Sequence, residues 1–322
     1  MISDNPLVEQ FATLFNHTFL PYGLALHDSL IRQEEPFHLW ILCMDNTVHN
    51  QLTKLNLPYV TLIPVEEVET DQLRTVKSER SVREYCWTLT PFIPQIVFER
   101  NPKISRVTYL DSDIFFFDKP SILLDEFDEH GKHVLITEHA YAPEYDDTKT
   151  SGRFCVQFMT FRNTYEAKEV MNWWQNKCVE WCFEEDEDEI GLFGDQKYLD
   201  LWPDLFPDKV HILQQYEKTL APWNERHFER KLGNRLRPVF YHFHGLRLIQ
   251  PDRLRIYLGY RIGPIGQTFY RSYIKAFEMA LNTIRRNGFP IPVFINDPHA
   301  PSLKSECVMR IKQIIRYAAI SS

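Results

Sequence analysis

Across its first two thirds the chain alternates short apolar, β-rich runs with amphipathic stretches. That alternation admits little besides βαβ units wound around a mostly parallel sheet, hence an α/β fold. Gln10 to Phe15 reads as a first strand and Leu20 to Arg32 as its helix. Phe37 to Met44, Tyr59 to Ile63 and Arg106 to Leu110 follow as strands, with a short helix over Val48 to Leu55. The spacing predicts a long helix over Ser81 to Arg100, which Pro91 and Pro94 should kink or divide because proline removes a helical donor and crowds the preceding turn. Beyond that, Pro120 to Phe127 reads as a helix, His133 to Thr137 and Phe154 to Phe161 as strands, and Glu166 to Phe183 as a strong helix. Gly194 to Leu201 opens another helix, Val210 to Leu213 and Val239 to Phe243 are strands, and Tyr270 to Arg286 is a basic C-terminal helix. The polar loop Glu138 to Gly152 is long for a compact domain, and such loops are more often functional than idle. The acidic run Glu184 to Glu189 reads as a solvated connector.

With 322 residues and 44% of them hydrophobic, a sizeable core is available and disorder is excluded. A formal net charge of -8 argues against nucleic acid as the main partner, since phosphate binding needs a basic face. The charge is uneven, however. From Gln250 to Ser322 there are 11 Lys+Arg against 4 Asp+Glu, leaving +7 there and -15 in the rest. A basic tail on an acidic body suits contact with an anionic membrane face or a lipid-linked acceptor; the alternative is a helical appendage whose charges are merely solvated. Met1 to Pro6 lacks the charged start and apolar core of a secretion signal, and no run reaches the roughly 18 apolar residues of a membrane span. The expectation is a cytoplasmic protein, peripheral at the inner face of the membrane. Cys43, Cys86, Cys155, Cys178, Cys182 and Cys307 are scattered and mostly sit in apolar strings, as reduced core cysteines do; Cys178 and Cys182, one helical turn apart, lack the further ligands of a zinc site.

The chemistry concentrates at Tyr109-Leu110-Asp111-Ser112-Asp113. Asp111 and Asp113 stand two residues apart at the carboxyl end of an apolar strand, and in extended backbone they point to one side. Open parallel sheets bind ligands at that edge. Paired carboxylates there suit Mg²⁺ or Mn²⁺, which take one or two protein carboxylates and complete their shell with phosphate oxygens and water. The competing reading is a strand end whose acids cap the following turn.

Further segments follow in order: Phe154 to Asn163, Gly194-Asp195-Gln196 and His242-Phe243-His244-Gly245. With Asp111-Ser112-Asp113-Ile114 and Lys119-Pro120, they make the stretch from Gln10 to Leu248 resemble the nucleotide-sugar glycosyltransferases of the GT-A fold, closest to the family 8-like group of glycogenin and the lipopolysaccharide galactosyltransferases. The resemblance implies a Rossmann-like mostly parallel sheet flanked by helices, with a catalytic domain over residues 1–250 and a basic, largely helical extension over 251–322. It implies a hexose moved from a nucleotide diphosphate sugar, with a UDP-sugar first in line, to a glycan or lipid-linked saccharide. Asp111, Asp113 and His242 would hold Mn²⁺ or Mg²⁺, with His244 in reserve, since a neutral imidazole can complete a set begun by two carboxylates. Asp195 and Gln196 would lie under the donor sugar. There they would stabilise an oxocarbenium-like state in a retaining reaction, or Asp195 would take the acceptor proton in an inverting one. The plain alternative for Asp195 is a helix N-cap.

The same resemblance gives donor contacts to Phe15, Asn16 and His17 after the first strand, to Asp111, Ser112 and Asp113, to Gln157 on the sugar-lining strand, and to Arg83 among Lys77, Arg80 and Arg83. The family usually continues its late His-aromatic-x-Gly element with Lys-Pro-Trp. This chain reads Leu246-Arg247-Leu248-Ile249, so Arg247 is the nearest replacement for a lysine that steadies the diphosphate. Two other readings compete: an Asp-nucleophile phosphohydrolase, which would want Thr or Val where Phe115 stands, and a sugar-nucleotide-binding protein with weak or lost turnover.

Overall fold

The computed structural model describes residues 8–185 and 191–294 and the backbone of 316–319. In chain order, β1 (Glu9–Phe15) leads to α1 (Leu20–Arg32), and β2 (Phe37–Cys43) to α2 (Asn46–Leu55). Asp45 caps α2 by accepting the Val48 N–H at 2.7 Å, and Asn56 ends it in the left-handed conformation. After β3 (Val60–Pro64) come α3 (Asp71–Lys77), α4 (Val82–Leu89) and α5 (Ile93–Arg100). A reciprocal Ser81–Glu84 capping box starts α4, and a 3-10 turn over Thr90–Phe92 separates it from α5. The single helix expected over 81–100 is therefore divided, where its two prolines stand.

Next are β4 (Arg106–Leu110), β5 (Ile114–Phe116), α6 (Ser121–His130) and β6 (Val134–Glu138). The loop after β6 contains a one-turn helix, α7 (Thr148–Ser151), before β7 (Phe154–Arg162) and α8 (Tyr165–Glu180). The helix expected from Gly194 is a turn followed by 3-10 structure over Lys197–Leu201 and the short α9 (Trp202–Leu205). The rest comprises β8 (Val210–Ile212), β9 (Thr219–Leu220), α10 (Glu225–Leu232), β10 (Phe240–His242), β11 (Arg247–Gln250), β12 (Arg253–Ile256), α11 (Gly266–Arg286) and β13 (Arg316–Ala319).

The main sheet has the order β3-β2-β1-β4-β7-β6-β8, and every neighbouring pair is parallel except those made by β7. Successive residues of β1 and β2 serve opposite apolar layers. Phe11, Phe15, Leu39 and Ile41 face the layer containing α1 and α11, while Ala12, Leu14, Trp40 and Leu42 face α4, α5 and α8. The strand order reverses between β1 and β4, and a crevice beyond the carboxyl ends of the strands at such a point is where open α/β sheets bind ligands.

Helix α11 buries Tyr270, Tyr273, Phe277, Leu281 and Ile284 in the same layer as α1, with the Tyr22 and Phe277 rings 4.9 Å apart. Arg271, Lys275 and Arg286 stay exposed. Of the other basic residues expected in the tail, Lys304, Arg310 and Lys312 lie outside the described residues, as do Cys307 and residues 186–189 of the acidic run. Cys43, Cys86, Cys155, Cys178 and Cys182 are free thiols. Among the described residues no helix is long and apolar enough to cross a membrane.

Candidate active site

Strand β4 delivers its last residue to the switch point, and the chain then turns sharply. The Asp111 N–H donates to the Gln157 carbonyl on β7 at 3.0 Å, and the Ile114 N–H returns to the Asp111 carbonyl at 3.3 Å. The two carboxylates thus converge across a turn through Ser112, and not through the extended alternation expected from the sequence. Strand β5 leaves that turn and pairs antiparallel with β10, setting His242 opposite Ile114, while the Phe243 N–H donates to the Asp113 carbonyl at 2.9 Å. A three-residue ladder thereby carries a histidine from far along the chain into the aspartate turn.

His242 Nε2 lies 3.0 Å from Asp113 Oδ1 and 3.8 Å from Asp111 Oδ2, and one ligand atom from each of Asp111, Asp113 and His242 falls within 4.8 Å of the others. The Tyr109 hydroxyl donates to Asp111 Oδ1 at 3.0 Å, and His242 Nδ1 sits 2.8 Å from Gln157 Oε1. Trp223 packs edge-on to both His242 and His244 with ring centres 5.5 Å apart. His244 stands outside the ligand group; burial, then the neighbouring His242, pushes its imidazole down to about 3.

Burial and mutual charge set the three members of the cluster apart. Burial raises the Asp111 carboxyl to about 6, with Asp113 adding and His242 opposing. Burial would raise Asp113 too, but the charge and hydrogen bond of His242, then Arg247, hold it below the usual carboxylate range. For His242, burial favours the neutral ring, and the two carboxylates outweigh it. Two carboxylate oxygens and an imidazole nitrogen converging on one point fit a divalent cation that keeps open positions for phosphate and water. The fit requires a lone pair on Nε2, which an Nδ1–H bonded to Gln157 provides.

Arg247 is a permanent cation beside this set, its Nη1 3.9 Å from Asp113 Oδ2 and its guanidinium against the rings of Phe19 and Phe294 at 5.2 and 5.1 Å. Gly245 makes this return possible. Its φ of +76 is left-handed, and a Cβ there would collide with Leu258.

On the other flank, Gly194 has φ +50 and packs under Trp87 of α4. Asp195 follows, buried, with its carbonyl accepting the Trp174 indole N–H at 2.8 Å. Its carboxyl caps no helix, so the N-cap reading does not hold: the 3-10 turn that follows starts from Gln196 without a side-chain cap. Asp195 Oδ2 is buried with no hydrogen-bond partner among the described residues, and burial, then the Asp111 charge, pushes the carboxyl well above its ordinary range. Gln196 donates to the Ser151 carbonyl at 2.9 Å, tying this turn to the Glu138–Gly152 loop.

The residues after β1 stand at the same switch point. Asn16 accepts the Thr18 N–H at 3.1 Å, and His17 Nδ1 lies 2.8 Å from Asp45 Oδ2. Phe15 is buried in the core under α1, and its carbonyl accepts the Met44 N–H at 3.1 Å. Arg83 pairs with Glu184 and leans toward Trp87; Lys77 pairs with Glu69, and Arg80 donates to the carbonyls of Cys178, Val179 and Cys182 at the end of α8. Sequence reasoning missed Tyr109, although its place two residues before Asp111 is a usable signal. It also missed Asp45 and Trp223, for which position along the chain gives none.

With this geometry in view, likeness to known proteins is informative. A family model described as glycosyl transferase family 8 matches residues 11–231. The uncharacterized protein YfnD of Bacillus subtilis (strain 168) is 30% identical over 292 residues, spanning 87% of this chain and 92% of the relative. YfnF of the same organism is 29% identical over 264 residues, spanning 77% and 85%. Among solved structures, the galactosyltransferase LgtC in complex with donor and acceptor sugar analogs superposes with a TM-score of 0.54 at 12% identity, over 84% of this chain and 95% of that one, a likeness of fold alone. Because the family match runs over well more than half of the chain, and the Asp-Asp-His cluster sits at the switch point of its sheet, this protein belongs to glycosyl transferase family 8 and is a glycosyltransferase of GT-A fold.

Proposed function

We propose that the protein transfers a hexose from a UDP-sugar, with Mn²⁺ (or Mg²⁺) as cofactor, to a glycan or lipid-linked saccharide. The observation that carries this reading is the convergence of Asp111, Asp113 and His242 on one point with Arg247 beside them. A divalent ion there supplies positive charge to the departing diphosphate. Arg247, packed against two aromatic rings, offers a guanidinium to the same oxygens in the role that the missing lysine would fill. Asn16 and His17 border the nucleotide end, with Ser112 on the aspartate turn. Arg83 reaches the donor only by leaving Glu184. Phe15 supports this end from the core rather than touching the base.

Asp195 and Gln196 form the floor under the sugar. In a retaining reaction they act through electrostatics on the developing cationic ring, whereas in an inverting one Asp195 takes the acceptor proton. The Glu138–Gly152 loop, tied down through Gln196, borders the acceptor side. The exposed Arg271, Lys275 and Arg286 of α11 suit an anionic bilayer that presents a lipid-linked acceptor, within a catalytic body over 1–250 and an extension over 251–322. Salt-sensitive co-sedimentation with anionic liposomes is expected, and indifference to lipid charge at low salt would remove this part.

The test of the activity is incubation with Mn²⁺ and a panel of UDP- and GDP-sugars. Slow metal-dependent release of UDP from one UDP-sugar, accelerated by its acceptor, is expected. Release of phosphate from simple phosphomonoesters with sugar nucleotides untouched would revive the phosphohydrolase. Tight nucleotide binding with no turnover on any acceptor would indicate a binding protein.

A further inference from the structure

Gln157 occupies an unusual position in the aspartate–histidine cluster. It is fully buried in the middle of β7. Its main-chain carbonyl accepts the Asp111 N–H at 3.0 Å, and its side-chain oxygen Oε1 lies 2.8 Å from His242 Nδ1. One residue therefore touches both arms of a cluster whose members come from β4 and β10, strands that belong to different sheets. An imidazole has one proton to place when neutral, and a ring that donates from Nδ1 must present a lone pair at Nε2. Nε2 is the atom that faces Asp113 and Asp111. The reverse amide orientation would put the ring proton on Nε2, between the two carboxylates, where it would block a metal ion.

We infer that Gln157 is a positioning residue that fixes the tautomer and orientation of His242 as a metal ligand, in place of direct contact with the donor; this rests on the metal reading of the cluster. A buried amide is suited to the task, because it accepts the Nδ1–H without adding a negative charge to a site that already holds Asp111, Asp113 and Asp195. The other end of the amide, Nε2, is buried with no hydrogen-bond partner among the described residues, so none of these holds the side chain elsewhere. Packing adds to this restraint, since Trp223 closes one side of the His242 ring. His242 thus has little freedom apart from the choice of tautomer, and Gln157 makes that choice.

The experiment compares wild type, Gln157→Leu, Gln157→Glu and His242→Ala in the full chain. Mn²⁺ affinity is read from the free-ion EPR signal, histidine coordination from ¹⁴N modulation in pulsed EPR, and folding from the melting temperature. Gln157→Leu should weaken Mn²⁺ binding roughly 10–100-fold, as is typical when the outer partner of a ligating histidine is lost, and should lose the nitrogen modulation. Gln157→Glu, which keeps an oxygen acceptor for Nδ1–H, should retain the modulation, and its loss there would also count against the positioning role. Modulation and affinity unchanged in a folded Gln157→Leu protein would overturn the positioning role while leaving the metal site standing. Modulation that is absent from wild type, or survives in His242→Ala, would overturn the metal assignment of His242 and this inference with it.

Discussion

Strand β4 has a charged cluster at each end, and the two differ in how completely their charges are answered. At the amino end Arg106 is buried, and its guanidinium is filled by partners: Nε donates to Glu9 at 2.9 Å, Nη2 pairs with Glu9 as well, and Nη1 donates to both Asp128 oxygens at 2.8 and 2.7 Å. Arg162 adds a further bond to Asp128 at 2.6 Å. At the carboxyl end, three carboxyl groups, Asp111, Asp113 and Asp195, gather near the guanidinium of Arg247, which approaches Asp113 only to 3.9 Å. Among the described residues one Asp195 oxygen has no partner. The first cluster holds strands and helices together; in the second, His242 and Arg247 answer Asp113 while burial holds the Asp111 and Asp195 carboxyls above their ordinary range, the kind of imbalance expected where a ligand completes the site.

The sharpest way to break this contrast is to neutralise one charge at each end and ask what is lost. Asp113→Asn removes a carboxylate from the cluster while preserving its shape. Metal-dependent turnover should fall on the order of 10³-fold, because the several kcal/mol that a bound ion contributes to charge stabilisation translate into that range. The melting temperature should fall by less than in a variant of Arg106, since Asn no longer answers His242 and Arg247 but the change also relieves repulsion with Asp111. Full activity in this variant would end the comparison, because the carboxyl end would then be no more functional than the amino end.

Arg106→Met should behave in the opposite way. It leaves Glu9 buried without its partner, and removal of one member of a buried pair costs about 3–5 kcal/mol. A drop in melting temperature on the order of 10 °C follows. Turnover per folded molecule should remain near wild type when assayed well below the melt. If stability were unaffected, the amino-end cluster would not be the clamp that its geometry describes.

How much of this contrast was legible beforehand differs between the ends. The sheet was readable because β1, β2 and β4 are apolar runs of strand length, and the prolines at 91 and 94 announced the division between α4 and α5. Asp111 and Asp113 were visible as a pair, although a turn rather than extended backbone brings their carboxylates together. Val239 to Phe243 read as a strand and the family resemblance brought His242 to the metal, but the ladder that carries it there was not legible, since β5 is three residues and too short to leave a periodic signature. Asp195 read equally well as a helix cap, because nothing local shows that Gly194 adopts a left-handed conformation and that only 3-10 structure follows. Gln157 was assigned to the donor sugar from its strand, while its contact with His242 depends on strand pairing across two sheets. The amino-end network was wholly hidden, because Arg106 meets Glu9 across 97 positions and Asp128 across 22.

A third cluster tests the rule with a smaller effect. Glu225 on α10 is fully buried beside Glu229, whose hydrogen bond and charge act on it. Their partners are main-chain N–H groups entering α11: Gly263 donates to Glu225 at 3.1 Å, and Ile265 and Gly266 donate to Glu229 at 3.0 and 3.3 Å. Burial raises Glu225 to about 8, with the hydrogen bond and charge of Glu229 adding and the N–H groups opposing. The folded protein therefore holds a proton that the unfolded chain releases above its ordinary carboxyl range. The resulting stability is complete below that range and is lost as pH rises through about 8, by at most about 1.4 kcal/mol per pH unit. Glu225→Gln keeps the volume and cannot ionise, so its melting temperature should fall less between pH 6 and 8 than that of wild type. Parallel pH profiles for the two proteins would mean that the main-chain donors at the head of α11 answer a buried carboxylate as fully as Arg106 answers Glu9, and the distinction drawn between the two ends of β4 would then rest on the number of donors rather than on the sign of charge.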